Sequence, residues 1–344
     1  MSKLENKATW QSSIASGQNK IADATVKNRG LIWSLTVTFG VLLAIYTGYV
    51  VYVSVEPDQF DVIQNAVEKA GVENAEQLPN GYVFGNTLAM VGETLLTKNG
   101  GYLSNDLFPG PLIDNMPSWE FGVIVMLRDG ASALRNHFAR SQSQSKENPE
   151  LAKAEPYLYY THNSWALPST EDEYQKGIKN LQIYLNDLND PQGTNAHFYS
   201  RADNLDQYLQ VILKRLGDYS YRLSASSVQK QTYDPISDKI SITKTPWLEV
   251  DDVFWEARGA TWALLHIFMA IESDFARTLR SKAANATLLQ IIHELEDAQA
   301  PILSPVILNG DGFGLFANYS LTMANHIARA NAATIELREL MLRG

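Results

Sequence analysis

The chain of 344 residues contains no cysteine. That excludes disulfides, thiolate-bound zinc, iron–sulfur clusters and thiol nucleophiles. Its histidines are few, His137, His162, His197, His266, His293 and His326. None stands four residues from another, so the H-E-x-x-H signature is absent, and no Glu-x-x-His pair of the kind that builds four-helix metal sites occurs. A G-x-S-x-G elbow, a P-loop and a G-x-G-x-x-G fingerprint are missing too. Basic residues are in deficit, with 28 Lys and Arg against 38 Asp and Glu and a net charge of −10. The deficit is uneven. Residues 1–29 hold Lys3, Lys7, Lys20, Lys27 and Arg29 against Glu5 and Asp23, a surplus of three that leaves −13 on the remainder. A remainder of that sign lacks the basic face that nucleic acid requires. Neither nucleic acid nor a cofactor is an expected partner.

Charge is also missing locally. Between Arg29 and Glu56 runs "GLIWSLTVTFGVLLAIYTGYVVYVSV", long enough to cross a bilayer core of about 20 helical residues. Trp33 near one end and Tyr49 and Tyr52 near the other suit the two interfaces. The run is longer than a cleavable signal core and no small-x-small site follows it, so residues 30–55 read as an uncleaved signal anchor. Five cations precede it, while Glu56, Asp58 and Asp61 follow. The positive-inside rule then places residues 1–29 in the cytoplasm and residues 56–344 across the membrane, in the periplasm of a bacterium. Thr36, Gly40, Ala44 and Gly48 recur every four residues and form a small-residue face suited to a second helix, with lipid around the rest.

Helical periodicity dominates the remainder and predicts an all-α domain over 56–344. One helix is expected to be headed by Glu56 and Pro57 and stopped by Gly71. Another carries a capping box, Thr170 with Glu173, before the stripe Ile178, Leu181, Leu185 and Leu188. Leu205, Leu209, Ile212 and Leu216 keep register on a third. Strand-like alternation is brief, at "DKISITK", within a polar stretch 226–246 that reads as a surface loop or short hairpin. Residues 99–117 carry Tyr102, Leu103, Phe108, Leu112 and Ile113 among Gly and Pro, and are expected to pack back on the helices. "PSWEFGVIVMLRDGASALRNHF" and "PWLEVDDVFWEARGATWALLHI" align at an offset of 129 residues, matching Glu120 with Glu249, Gly130 with Gly259 and His137 with His266. The alignment suggests two similar halves, 56–195 and 196–344.

Candidate chemistry is sparse. Glu249, Asp251, Asp252 and Glu256 fall in the first turns of a helix opening at Thr245–Pro246, where carboxylates meet free amides and the positive end of the helix dipole. Glu256 and Arg258 stand among Phe254, Trp255 and Trp262, and a buried charge needs a partner. Together with His266 they are the candidate polar site, with an ion-pair network and a core histidine as the plainer reading. His293 and Glu296 read as a surface pair. In "ILNGDGFGLFANYS" the corner Asn309, Gly310, Asp311, Gly312 and Gly314 offers a calcium loop only two oxygen side chains, so it reads as a bend between helices. Phe313, Leu315 and Phe316 are expected to seat that bend on the core.

The stretches "EPDQFDV", "GGYLSND", "MPSWEFGVIVMLRD", "RNHFARSQSQS", "SWALPSTEDEY", "FYSRADNL", "KTPWLEVDDVFWEARGATWALLH" and "ILNGDGFGLFANYSLTMANHIARANAA", in this order, resemble the proteobacterial membrane-protein family catalogued as domain of unknown function 2333. The resemblance implies a single-pass inner-membrane protein of a Gram-negative envelope. It brings no catalytic residues. The expected function is a non-enzymatic envelope interaction or scaffold component that oligomerises or binds protein partners. The alternative is a periplasmic enzyme or ligand-binding module acting on cell-envelope material.

Overall fold

A computed structural model describes residues 31–106, 113–140, 146–192, 196–227, 230–234, 239–243, 245–302, 304, 306–311 and 315–343. They divide into a short N-terminal unit ending at Val53 and a body from Ser54 onward. The N-terminal unit is one 23-residue helix, α1 (Leu31–Val53), long and apolar enough to cross a membrane. At about 1.5 Å per residue its length is roughly 35 Å. Thr36 turns its hydroxyl back on the Ile32 carbonyl at 2.9 Å, so this polar group is satisfied within the helix.

The body is helical: α2 (Val62–Ala70), α3 (Tyr82–Thr97), α4 (Asn115–Ala133), α5 (Pro149–Leu158), α6 (Thr170–Asn189), α7 (Ala202–Ser227), α8 (Val250–Asp274), α9 (Ala276–Ser281), α10 (Asn285–Asp297) and α11 (Tyr319–Leu342). Among the described residues one hairpin interrupts it. Strands β1 (Lys230–Asp234) and β2 (Lys239–Thr243) pair antiparallel, with Lys230 opposite Thr243, inside the stretch read as a loop or hairpin. The apolar periodicities map onto the core. Leu205, Leu209, Ile212 and Leu216 of α7 are fully buried, each contributing about 1.5–3 kcal/mol.

Three helix starts differ from expectation. Helix α2 begins at Val62, where Asp61 Oδ1 accepts the Ile63 and Gln64 amides at 2.9 Å, and Gly71 ends it with φ of 67° as anticipated. Residues 56–61 are therefore not helical, for a reason given below. The cap of α6 is Ser169, whose Oγ accepts the Asp172 amide; Thr170 is wholly buried and its hydroxyl donates to the Thr161 carbonyl at 2.9 Å. Helix α8 starts at Val250 after a single 3₁₀ turn, Trp247–Glu249, rather than at Pro246. Asp251 and Asp252 still fall in its first turn, and Asp252 accepts from Ser118 Oγ at 2.9 Å.

The two segments that align at the 129-residue offset lie side by side. Ser118 meets Asp252, Gly122 meets Glu256 and Gly130 meets Ile267, so α4 and α8 run parallel. Two glycines bring the backbones together. A Cβ on Gly122 would stand 2.0 Å from the Glu256 carbonyl oxygen, and one on Gly259 would stand 2.0 Å from that of Trp119. The Trp119 and Trp262 rings close the crossing at 5.3 Å between centroids.

Around this pair the packing follows one scheme twice. Helix α3 packs on α4 and α6, and α6 on α5; likewise α7 packs on α8 and α11, and α11 on α10. Each central helix also supplies an arginine to the end of a short helix. Arg128 donates to the Leu158 and Tyr160 carbonyls at the end of α5. Arg258 donates to those of Ala298, Gln299 and Ala300 at the end of α10. Cations belong at helix C-termini, where carbonyls lack intrahelical donors and the dipole is negative.

Candidate functional site

Glu256, Arg258 and His266 all lie on α8 but do not converge. Residues two apart on a helix point to different faces, and eight residues are about 12 Å of rise. Glu256 faces α7, where Arg222 holds both its oxygens, at 2.9 and 2.5 Å. Arg258 faces the other way. Besides the α10 carbonyls, its Nε bonds both oxygens of Glu56, at 2.9 and 2.7 Å. The pair is nearly dry on the arginine side, with 7% of that side chain exposed against 22% for Glu56.

His266 completes the hold on residues 56–61. The Phe60 amide donates to its Nε2 at 3.1 Å. Nε2 is therefore the acceptor, and Nδ1 carries the proton it gives to the Trp262 carbonyl at 2.8 Å. The Phe60 ring stacks on the imidazole at 4.1 Å between centroids. Burial lowers the histidine pKa from 6.5 to about 4, against the pull of its bond to the Trp262 carbonyl, so the ring is neutral at pH 7. "EPDQFD" is thus laid along α8 from Arg258 to His266, which is why α2 cannot start at Glu56. The three residues form two structural pairs and a core histidine with both nitrogens satisfied.

A second buried carboxylate was hidden in the sequence. Glu120 of α4 is fully buried and pairs with Lys98 at 2.7 Å. It also accepts the Leu103 and Ser104 amides at 2.8 Å and the Ser104 hydroxyl at 2.5 Å. This organises "GGYLSND", where Tyr102 and Leu103 are buried, as is Ile113 further on. Phe108 and Leu112 lie outside the described residues.

The glycine corner is a closed loop. Asn309 and Asn318 form an antiparallel bridge, Gly310 donates to the Ala317 carbonyl at 3.0 Å, and Asn318 Nδ2 reaches the Gly310 carbonyl at 2.7 Å. Asn318 also caps α11 through the Leu321 amide at 2.9 Å. A Cβ on Gly310 would lie 2.4 Å from the Phe316 carbonyl oxygen. Asp311 is exposed. Gly312, Phe313 and Gly314 lie outside the described residues. The expectation that Leu315 and Phe316 seat the bend is wrong: they are 100% and 70% exposed. The hydrogen bonds at its base hold the corner, not its apolar tip.

Beside Arg258 a cavity of about 200 Å³ opens between α8, α10, α11 and the segment after α10. Phe254, Asp297, Ile302, Tyr319 and His326 line it. Asp297 and His326 of this wall gather their side chains with that of Glu294, which lies behind them. His326 Nδ1 lies 3.1 Å from Glu294 Oε2 and 3.8 Å from Asp297 Oδ2. Glu294 is fully buried, and its other oxygen lies 2.5 Å from the Arg329 guanidinium as an ion pair, without the geometry of a hydrogen bond. The sequence reading paired His293 with Glu296 and missed this group. That pair exists only loosely, at 3.9 Å between exposed side chains. The relevant signal was "HELED" on one helix and "NHIAR" on the next, joined only once the helices pack.

The family model described as "Uncharacterized protein conserved in bacteria (DUF2333)" matches residues 26–344, and the chain belongs to that family. No curated protein and no solved structure matches it.

Proposed function

We propose, from membership of this bacterial family, that the protein is a membrane-anchored, non-enzymatic interaction or scaffold component of the cell envelope. On this reading α1 is the anchor, residues 1–29 are cytoplasmic and the body is periplasmic. The observation that carries the reading is the engagement of the candidate polar residues. Arg258 is tied to Glu56 and to three carbonyls, His266 to Phe60 and Trp262, and Glu256 to Arg222. None is left to act on a substrate. The anchor supplies the association face: around Gly40 and Gly48 an added Cβ would meet nothing within 4 Å, which leaves room for a second helix. The doubled packing scheme and the two arginine caps support reading the body as two related halves, 56–195 and 196–344. Crosslinking of the full chain in its native membrane, followed by mass spectrometry, tests the proposal. A homo-oligomer or one reproducible protein partner is expected; a strictly monomeric chain with no partner contradicts it.

The cavity beside Arg258 favours a second reading, a ligand-binding module. A small molecule retained through purification by the wild-type chain, and lost when Tyr319 or Ile302 is enlarged or truncated, would favour that reading over the first.

A further inference from the structure

The cavity, and the cluster of Glu294, Asp297 and His326 that reaches its wall through the last two, point to a site that the scaffold reading does not use. We propose that His326 Nδ1, Glu294 Oε2 and Asp297 Oδ2 bind one divalent cation of the zinc class. The inference goes beyond the function proposed above and does not rest on it.

The donor set is one imidazole and two carboxylates, a combination zinc accepts at about 2.0–2.2 Å. A tetrahedron with such bonds has edges of about 3.3–3.6 Å. The two separations from His326, 3.1 and 3.8 Å, bracket that value, and all three donor atoms lie within 4.8 Å of one another, so side-chain rotations must draw the two carboxylates together to create the site. Helix geometry explains the convergence. Glu294 and Asp297 are three apart on α10 and share a face, and α11 packs on that helix and brings His326 against both.

Arg329 has the place of an orienting neighbour. Ligating carboxylates are themselves hydrogen-bonded by outer groups. Arg329 forms an ion pair with Glu294 Oε1, which leaves Oε2 facing His326; a bound cation that draws Oε2 would let this pair align into a hydrogen bond. Two carboxylates against one guanidinium leave the group at −1 with a neutral imidazole, so a divalent cation is attracted. Ligation needs the Nδ1 lone pair, so the Nδ1 proton shifts to Nε2 on binding. Asp297 and His326 also line the cavity. A fourth coordination position therefore faces open space and takes water or a small exchangeable ligand. Arg258, in the same wall, is committed to Glu56 and the α10 carbonyls and stays out of the coordination sphere.

The test uses the tag-free full chain in detergent, stripped with chelator and dialysed against zinc chloride, with bound metal counted by mass spectrometry and affinity read by calorimetry. One zinc per chain is expected. Asp297→Ala and His326→Ala each weaken binding at least about tenfold, and Arg329→Gln about tenfold, the loss typical of an outer-shell partner. His197→Ala, which removes an exposed histidine outside this cluster, leaves affinity within about twofold. The Asp297 side chain is 43% exposed, so its variant retains the fold, verified by circular dichroism. Absence of saturable zinc uptake overturns the proposal. So does uptake unchanged in both Asp297→Ala and His326→Ala, which would place the metal elsewhere on the surface.

Discussion

Arg258 and Glu56, 202 residues apart in the chain, are joined by a bifurcated hydrogen bond, the one Nε–H shared between both carboxylate oxygens at 2.9 and 2.7 Å. The same guanidinium collects the Ala298, Gln299 and Ala300 carbonyls. One side chain thereby joins the segment before α2, the central helix and the end of α10.

Arg258→Gln should be among the most destabilising single changes in the body. It leaves a mostly buried Glu56 and three carbonyls without their donor, and breaking such a pair costs about 3–5 kcal/mol. Glu56→Gln should cost less, about 1 kcal/mol, because an amide oxygen still accepts from Arg258. Denaturant unfolding of the purified chain, compared with wild type, measures both.

Stability should depend on pH through His266. Its folded pKa, about 4, lies below the ordinary 6.5. The unfolded chain therefore binds the proton first, and stability falls as pH drops from about 6.5 toward 4. The full shift corresponds to about 3 kcal/mol at most. Asp274 acts in the opposite sense: burial raises its carboxyl from 3.8 to about 7, against the amides of Phe84 and Gly81. Its contribution is complete below 3.8 and is lost as pH rises toward 7. The difference between wild type and His266→Gln isolates the histidine. The variant should lose much of the acid-side decline, read from unfolding midpoints at pH 4.5 to 7.

Two glycine-to-alanine changes should have opposite signs. Gly259→Ala drives a Cβ into the Trp119 carbonyl oxygen, 2.0 Å away, where no rotamer can relieve the clash. Forcing α4 from α8 should cost about 1–3 kcal/mol or more. At Gly217, within α7, the nearest atom is Asn331 Nδ2 at 3.8 Å, so Ala fits. There the better helix former should stabilise by up to about 1 kcal/mol. Thermal melts of the two variants distinguish the cases.

The exposed tip of the glycine corner should be dispensable for folding. Leu315→Ser with Phe316→Ser should leave the unfolding free energy within about 0.5 kcal/mol of wild type, as surface changes usually do. Gly310→Ala, which strikes the Phe316 carbonyl, should destabilise the corner. Hydrogen exchange at the Gly310 and Tyr319 amides reports on it directly.

Much of this architecture was legible in the sequence because it rests on local rules. Periodicity placed α6 and α7; Gly71 stopped α2; the charge-free run marked α1. Two of the three misread starts, those of α2 and α6, share one cause, a partner outside the helix that overrides a local signal. Glu56 looks like a helix head until Arg258 claims it, and Thr170 looks like a cap until the loop at Thr161 takes its hydroxyl. Leu315 and Phe316 looked like anchors because hydrophobicity alone does not say which way a short loop faces. Glu120 with Lys98, and Glu294 with His326, were invisible because neither pair shares a helix.

The most direct test of the central claim, a membrane-anchored component that associates, exploits the lack of native cysteine. Single cysteines at Gly40 and, on the opposite face of α1, at Leu42 can be crosslinked in native membranes without background. The account predicts efficient crosslinking of Gly40→Cys, to itself or to one partner, and little from Leu42→Cys. Equal yields from both positions, or none from either, would contradict it.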